Sequence, residues 1–220
     1  MLGLLLPQRC LGCGVPGPQA CDACLAALPR LRPPLCERCG APTAWPVARC
    51  RECGGRRLAF ARARAAVPYD DLVRRVVGAW KEGGLRRLAA PAAELVAEVV
   101  PRPAVDALVP LPPDRGRLLK RGHHPAAALA AALAAGWELP PADLLARPRE
   151  APPQRGLALA ERRRNVARAF AVRASPPRRV ALVDDVYTSG STAAAAAREL
   201  RRAGARHVEV VTFARAVRLR

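Results

Sequence analysis

Apolar residues recur with the period of an α-helix in several segments of the chain. In "DDLVRRVVGAWKEGG" the apolar side chains from Leu72 to Trp80 are spaced as on one helix face, and Gly83-Gly84 predicts the end of that helix. "LRRLAAPAAELVAEVV" predicts another helix, kinked or restarted near Pro91. "PAAALAAALAAGW" predicts a helix that has Pro125 in its first turn, and a last helix is expected from Thr192 to Arg202.

The segments between these helices have the patterns of β-strands. "LAFARARAAVPY" alternates apolar and basic residues, as a half-exposed strand does, whereas "VDALVPLPP" and "RRVALVDD" are continuous apolar runs. "HVEVVTFAR" predicts a final strand, and residues 147–168 predict a long basic loop that passes into a short charged segment. Because strands alternate with helices, we expect an α/β fold with a mostly parallel sheet.

Cysteine divides the chain into two parts. All eight cysteines lie between Cys10 and Cys53, in a section that is rich in Gly and Pro and poor in long apolar runs. We therefore expect a small module over residues 1–57, followed by an α/β domain over residues 58–220.

The cysteines form four C-x-x-C pairs: Cys10/Cys13, Cys21/Cys24, Cys36/Cys39 and Cys50/Cys53. Two such knuckles complete the tetrahedron of a Zn²⁺ ion, so four pairs predict two structural zinc sites without an open coordination position. Both gaps suit sequential pairing of the knuckles, while the spacing alone leaves interleaved pairing open. Disulfides would require an oxidising compartment, and a redox C-x-x-C normally occurs once rather than four times.

The chain is strongly basic, with a net charge of +19 and a pI of about 11.3, which favours nucleic acid or phosphorylated ligands as partners. Since Lys81 and Lys120 are the only lysines, 35 of the 37 basic residues are arginine, and a compositional bias of the source is an alternative explanation. "MLGLLLPQRC" is too short for a signal peptide, and the longest apolar stretch is shorter than a membrane span needs. We expect a cytoplasmic protein without membrane insertion.

Two acids and a hydroxyl-rich loop follow the strand "RRVALVDD". Asp184 and Asp185 come where a parallel strand ends, which is the edge at which α/β sheets bind ligands. The next residues lead into a helix, whose first N–H groups suit a phosphate, and Gly190 allows close approach of the backbone. The acids would hold hydroxyl groups or a hydrated Mg²⁺ farther along the same ligand. The alternative is an Asp-rich turn followed by ordinary helix capping.

"VALVDDVYTSGST" resembles the signature with which type I phosphoribosyltransferases bind phosphoribosyl pyrophosphate (PRPP). The resemblance implies that Asp184 and Asp185 bind the ribose hydroxyls. It also implies that the loop binds the 5′-phosphate through Thr188, Ser189, Gly190, Ser191 and Thr192. The implied fold is a phosphoribosyltransferase-like sheet with helices on both faces.

Further motifs resemble the ComF family of competence-associated proteins, in the family's order along nearly the whole chain. They are the N-terminal cysteine pairs, "AWKEGG", "VPLPPDRGRLLKRGHH" and "APPQRGLALAERRRNVARAF". One departure is the pair His123-His124, where the family usually has an aromatic residue and Asn. A polar start to the helix at Pro125 is the expected role of this pair, and His207 is expected to be structural.

The resemblance also implies roles for basic residues. Arg115 and Arg121 are expected in the loop that binds pyrophosphate, with Arg121 joining Asp184 and Asp185 as a catalytic residue, and Lys81 is expected to reach the phosphate site. The long basic segment corresponds to a mobile hood carrying Gln154, Arg162, Arg163 and Asn165. For each residue a solvated surface charge is the alternative.

Three functions remain open from the sequence. The first is a ComF-like protein that acts in DNA uptake during natural transformation, binds PRPP with Mg²⁺, and contacts single-stranded DNA and proteins of the uptake machinery. The few aromatic residues leave little for base stacking, so phosphate contacts should dominate DNA binding. The second is a salvage or biosynthetic phosphoribosyltransferase, and the third is a non-catalytic module that PRPP regulates.

Overall fold

The fold is taken from a computed structural model that describes residues 8–113, 115–147 and 169–217. Its helices are α1 (Asp22–Ala26), α2 (Asp71–Glu82), α3 (Ala89–Val99), α4 (Arg115–Arg121), α5 (Pro125–Trp137) and α6 (Ser191–Arg202). Its strands are β1 (Arg62–Pro68), β2 (Ala107–Pro110), β3 (Leu145–Ala146), β4 (Ala171–Val172), β5 (Arg179–Tyr187) and β6 (His207–Arg215). Arg86–Leu88 form a short 3₁₀-helix. No helix in the described ranges is long and apolar enough to cross a membrane.

Four strands form one parallel sheet in the order β1-β6-β5-β2. β5 and β6 pair along their whole length, from Arg179 opposite His207 to Tyr187 opposite Arg215. The central strands are buried on both faces, as parallel strands usually are. The α/β fold and the parallel sheet predicted from the sequence are confirmed.

Helices cover both faces of this sheet. Ala181 and Val183 of β5 face a core that includes side chains of α2, α3 and α5, among them Trp80. The alternate residues Val180 and Leu182 face the opposite core, which holds the buried alanines of α6. Because neighbouring residues of a strand point to opposite faces, the side chains of β5 alternate between the two layers.

The predicted helices have the expected boundaries for local reasons. The Asp70 carboxylate accepts the N–H of Val73 at 2.8 Å and caps α2, which ends at Gly83. Pro91 lies in the first turn of α3, where its missing N–H breaks no helical hydrogen bond. Pro125 is the first residue of α5, as predicted.

Two elements differ from the sequence prediction. The segment after β2, expected as a loop that carries Arg115 and Arg121, forms the short helix α4, on which Leu119 is 74% exposed. In addition, β3 and β4 form a small two-stranded antiparallel sheet, with Leu145 opposite Val172. Most of the predicted basic hood, including Gln154, Arg162, Arg163 and Asn165, lies outside the described residues.

Candidate functional site

The acid pair lies at the carboxyl edge of the sheet, beyond the end of β2. Val183 pairs with Pro110, the last residue of β2, so Asp184 and Asp185 are the first residues of β5 past that neighbour. The helix α5, which follows β2, and α6, which follows β5, pack on opposite faces of the sheet. This reversal opens a crevice between the two strand ends, and ligands of open α/β sheets bind in such crevices.

The two carboxylates have different surroundings. Asp185 is buried, and its Oδ1 atom lies 2.7 Å from the Nζ atom of Lys81 on α2. The Oδ1 atom of Asp184 accepts the N–H of Asp185 at 2.9 Å. Burial, together with the nearby charge of Asp185, raises the pKa of Asp184 to about 7. The pair therefore gains its second negative charge easily only when a cation or a set of donors enters the site.

The loop after β5 is built around Gly190. This residue has a φ of 74°, and a Cβ atom there would lie 2.2 Å from the hydroxyl oxygen of Tyr187. Glycine is therefore required at position 190 both by the left-handed backbone conformation and by the close approach to the Tyr187 ring. The α6 helix begins at the next residue, so its first N–H groups point to the loop. Burial raises the pKa of Tyr187 to about 12, so this phenol brings no negative charge towards the loop.

Six of the residues expected to bind or act on the ligand line one pocket of about 280 Å³: Asp184, Asp185, Thr188, Thr192, Lys81 and Arg121. Gly190 lines a smaller recess of about 30 Å³ beside it, together with Asp184 and Thr188. The hydroxyls of Ser189 and Ser191 lie 2.9 Å apart and bond to each other. Arg115 begins α4 rather than lying in a loop.

Two cations at the pocket, Lys81 and Arg121, are held by acids. Arg121 donates to the Oε1 atom of Glu82 at 3.0 Å through Nε and 2.6 Å through Nη2, which fixes its guanidinium beside the end of α2. Lys81, one residue before Glu82, faces the acid pair instead. An anionic ligand therefore meets a lysine and an arginine that already have defined positions.

Several residues at this pocket were not predicted from the sequence to be part of it. Tyr69, His124 and Arg147 line it together with the prolines that follow β2. The Nε2 atom of His124 lies 2.9 Å from the carbonyl oxygen of Leu111, and His123 contacts the carbonyl oxygen of Trp80 at 2.6 Å. Both histidines precede α5 as predicted, and His207 contacts Glu209 at 2.9 Å.

The eight cysteines form two tetrads of sequential pairs, so the interleaved alternative is excluded. We call the first tetrad the first ribbon site (Cys10, Cys13, Cys21, Cys24) and the second tetrad the second ribbon site (Cys36, Cys39, Cys50, Cys53). In each site the four sulfur atoms lie within 4.8 Å of one another. The Cys39–Cys50 and Cys36–Cys53 sulfurs are 3.5 and 3.7 Å apart, too far for a disulfide. Four sulfurs at zinc bonding distance would lie about 3.8 Å apart, so both tetrads are consistent with structural zinc ions.

Backbone donors prepare thiolates at both sites. The N–H groups of Cys21 and Gly12 lie 3.4 Å from the Cys10 sulfur, and backbone hydrogen bonds lower the pKa of Cys10 to about 6. At the second site burial opposes ionisation of Cys36, but N–H groups such as that of Cys50, at 3.2 Å, lower its pKa to about 7. Burial raises the pKa of Cys39, so a cation is needed to ionise the full tetrad.

The second ribbon site is joined to the strand end that carries the acids. Arg215, the buried last residue of β6, donates to the carbonyl oxygen of Cys39 at 2.6 Å and to Glu52 at 2.8 Å. Its guanidinium also lies 4.8 Å from the centre of the Tyr187 ring. Arg56, which follows the last cysteine, donates to the carbonyl oxygen of Ser189 at 2.7 Å. The ribbon therefore supports the loop after β5 from one side.

Comparison with known proteins agrees with this architecture. Residues 1–55 match the model of the double zinc ribbon domain. The chain is also 36% identical over 116 residues to competence protein F of Haemophilus influenzae, an alignment that covers 50% of this chain and 51% of that protein. These two matches support a ComF-family assignment. The chain spans about half the length of the curated relative it matches.

Proposed function

We propose that this protein is a member of the ComF family and that it binds PRPP in the pocket at the end of β5. The observation that carries the proposal is the convergence of an acid pair, a glycine-bearing loop before α6 and two cations on one crevice. A sugar with free hydroxyls and several phosphates needs this combination of acceptors, N–H donors and positive charge.

We propose that each part of PRPP binds to residues of complementary charge or hydrogen-bonding character. Asp184 and Asp185 accept hydrogen bonds from the 2′ and 3′ hydroxyls of the ribose, and Thr188 to Thr192 hold the 5′-phosphate at the start of α6. Arg121 and Lys81 approach the pyrophosphate from α4 and α2. Mg²⁺ would enter with the pyrophosphate oxygens, because the acid pair and water supply the oxygen ligands it prefers.

The process we propose for the protein is DNA uptake during natural transformation, in the cytoplasm. It derives from the family assignment and from the relative named competence protein F. The net charge of +19 supports a contact with single-stranded DNA, and proteins of the uptake machinery are the expected protein partners.

A transfer reaction is the second candidate, and Arg121 at the pocket favours it. In that reaction an acceptor forms a bond to C1 of the ribose while the bond from C1 to pyrophosphate breaks, and Arg121 and Mg²⁺ stabilise the charge on the departing pyrophosphate. A module that binds PRPP without turnover would use the same pocket.

Calorimetry with zinc-loaded protein, MgCl₂ and PRPP tests the ligand proposal. Wild-type protein should release or absorb heat with saturation at one PRPP per chain. Asp184→Asn combined with Asp185→Asn should weaken binding by about 100-fold or more, because two charged hydrogen-bond acceptors are lost. The exposed Glu94→Gln on α3 is the matched control and should bind as wild type. Equal binding by the double variant would exclude the acid pair as the sugar site.

Pyrophosphate release in the presence of a panel of nucleobases separates the enzyme from the binding module. Release with one base, lost on Arg121→Ala, would support transfer. Binding of PRPP without release for any base would support the module.

A further inference from the structure

A second cavity in the described part of the chain lies outside the acid-pair pocket, on the second zinc ribbon. It is an open groove of about 800 Å³ formed by the segment between the two knuckles and by the residues that follow Cys53. Trp45, Arg49, Arg51 and Arg56 lie along it. Neither the family match nor the proposed PRPP site gives this groove a role.

Trp45 is unusual among the three tryptophans of the chain. Its side chain is 68% exposed, whereas Trp80 and Trp137 are 0% and 6% exposed. The flanking residues Ala44 and Pro46 are also exposed and offer no large side chain that covers the indole. The indole contributes nothing to a core, so both of its faces are available to a flat ligand.

The charges along the groove are positive and available. Arg49 and Arg51 are exposed, and within the described ranges neither has a hydrogen bond or an ion pair. The one carboxylate that lines the groove, Glu52, is already bound by Arg215 at 2.8 Å. An anionic ligand would therefore meet two arginines that no acid neutralises.

We propose that this groove binds single-stranded nucleic acid, with an unpaired base stacked on Trp45 and phosphates held by Arg49 and Arg51. An aromatic platform beside arginines is the combination with which proteins hold single strands without reading their sequence. The faces of the bases are covered in a duplex, so a duplex could bind to the groove only through the two arginines. The inference rests on the proposed contact with single-stranded DNA and gives that contact a location.

The position of Trp45 makes a direct test available. Because the other two indoles are buried, quenching of tryptophan fluorescence by oligo(dT) reports mainly on Trp45. Wild-type protein should be quenched by oligo(dT), and by a duplex of equal length far less. Trp45→Ala should abolish the quenching and weaken the binding of a labelled oligo(dT), followed by anisotropy, about tenfold, whereas Trp45→Phe should retain most of the affinity.

Arginine variants test the phosphate contacts. Arg49→Ala with Arg51→Ala should weaken binding and reduce the slope of log affinity against log salt by about 1.4, since each lost contact to a single-stranded phosphate contributes about 0.7. The exposed Arg206→Ala, at the amino edge of β6, has the same charge change outside the groove and should lower the affinity far less.

Three results would overturn the inference: oligo(dT) affinity unchanged in Trp45→Ala and in the double arginine variant, quenching by duplex equal to that by oligo(dT), or no quenching of the wild-type protein. Saturation of the groove by an acidic peptide but not by oligo(dT) would identify a protein surface instead. PRPP calorimetry on Trp45→Ala keeps the two proposals distinct, because it should match wild type whether or not DNA binding is lost.

Discussion

The guanidinium of Arg56 donates a hydrogen bond of 2.7 Å to the carbonyl oxygen of Ser189, and so joins the second zinc ribbon to the loop before α6. The two residues are 133 positions apart in the sequence. Since the loop that we propose for the 5′-phosphate includes Ser189, the ribbon helps to set its conformation.

Arg56→Ala should weaken PRPP binding by about tenfold, because a charged hydrogen bond that orders the loop contributes about 1.5–3 kcal/mol. The exposed neighbour Arg57→Ala removes the same charge without a bond to the loop and serves as the control. Calorimetry of both variants at equal zinc content checks the prediction, and equal PRPP affinities would show that the Arg56 bond does not order the loop.

The two zinc sites should differ in their effect on PRPP binding. Cys39 is buried in the same core as Tyr187, and its carbonyl oxygen accepts a hydrogen bond from Arg215. Cys13 is exposed, and the nearby Leu11 packs against the core on the other face of the sheet. Cys39→Ser should therefore lose one zinc and most PRPP affinity. Cys13→Ser should lose one zinc and keep PRPP affinity within about twofold, as distant sites act independently.

Zinc stoichiometry and calorimetry on the same preparations make this comparison, with circular dichroism to show that the sheet domain remains folded. If both variants retained wild-type PRPP affinity after losing one zinc, the ribbon would have no role in shaping the loop.

Gly190→Ala should disrupt the loop. An alanine Cβ would lie 2.2 Å from the Tyr187 hydroxyl, and a non-glycine residue at a φ of 74° costs about 1–3 kcal/mol more. We expect a lower thermal midpoint and loss of PRPP binding. Gly136→Ala in α5 is the control, since nothing lies within 4 Å of its added Cβ, and should raise stability by about 0.5–1 kcal/mol. A Gly190→Ala protein as stable as wild type would contradict the packing described here.

The raised pKa of Asp184 predicts a pH dependence of stability. Burial moves this pKa from the ordinary value of 3.8 to about 7, so between these values the folded chain keeps a proton that the unfolded chain has lost. The stabilisation of the fold by this bound proton is complete below pH 3.8 and is lost as the pH rises through 7. The Asn side chain of Asp184→Asn stays neutral at every pH. The stability of this variant relative to wild type should therefore increase when the pH is raised from 5 to 8.

Urea unfolding of wild type and Asp184→Asn at both pH values measures that difference. A stability difference that did not change with pH, or that changed in favour of wild type at pH 8, would show that Asp184 titrates near its ordinary value.

Much of the fold could be predicted from the sequence because each main helix or strand is buried either along one face or along its whole length. The apolar spacing from Leu72 to Trp80 identified α2 with its end at Gly83, and "HVEVVTFAR" matched β6. The acid pair and the loop are contiguous in the sequence, so a local motif was sufficient to identify them as candidate site residues.

The parts that sequence patterns missed depend on distant contacts. Helix α4 has no buried apolar face, since Leu118 and Leu119 are both exposed, so no helical period marked it. The bonds of Arg56 to Ser189 and of Arg215 to Cys39 exist only once the ribbon packs on the sheet. Among so many arginines, no local signal distinguishes these two.

The most direct test of the PRPP site is ³¹P nuclear magnetic resonance of PRPP titrated with zinc-loaded protein and MgCl₂. We predict that the 5′-phosphate signal shifts or broadens together with the pyrophosphate signals, that ribose 5-phosphate shows the same effect on its phosphate, and that Gly190→Ala abolishes both. Unchanged phosphate signals with wild-type protein in excess over PRPP would contradict the proposal that the loop after β5 binds a phosphorylated ribose.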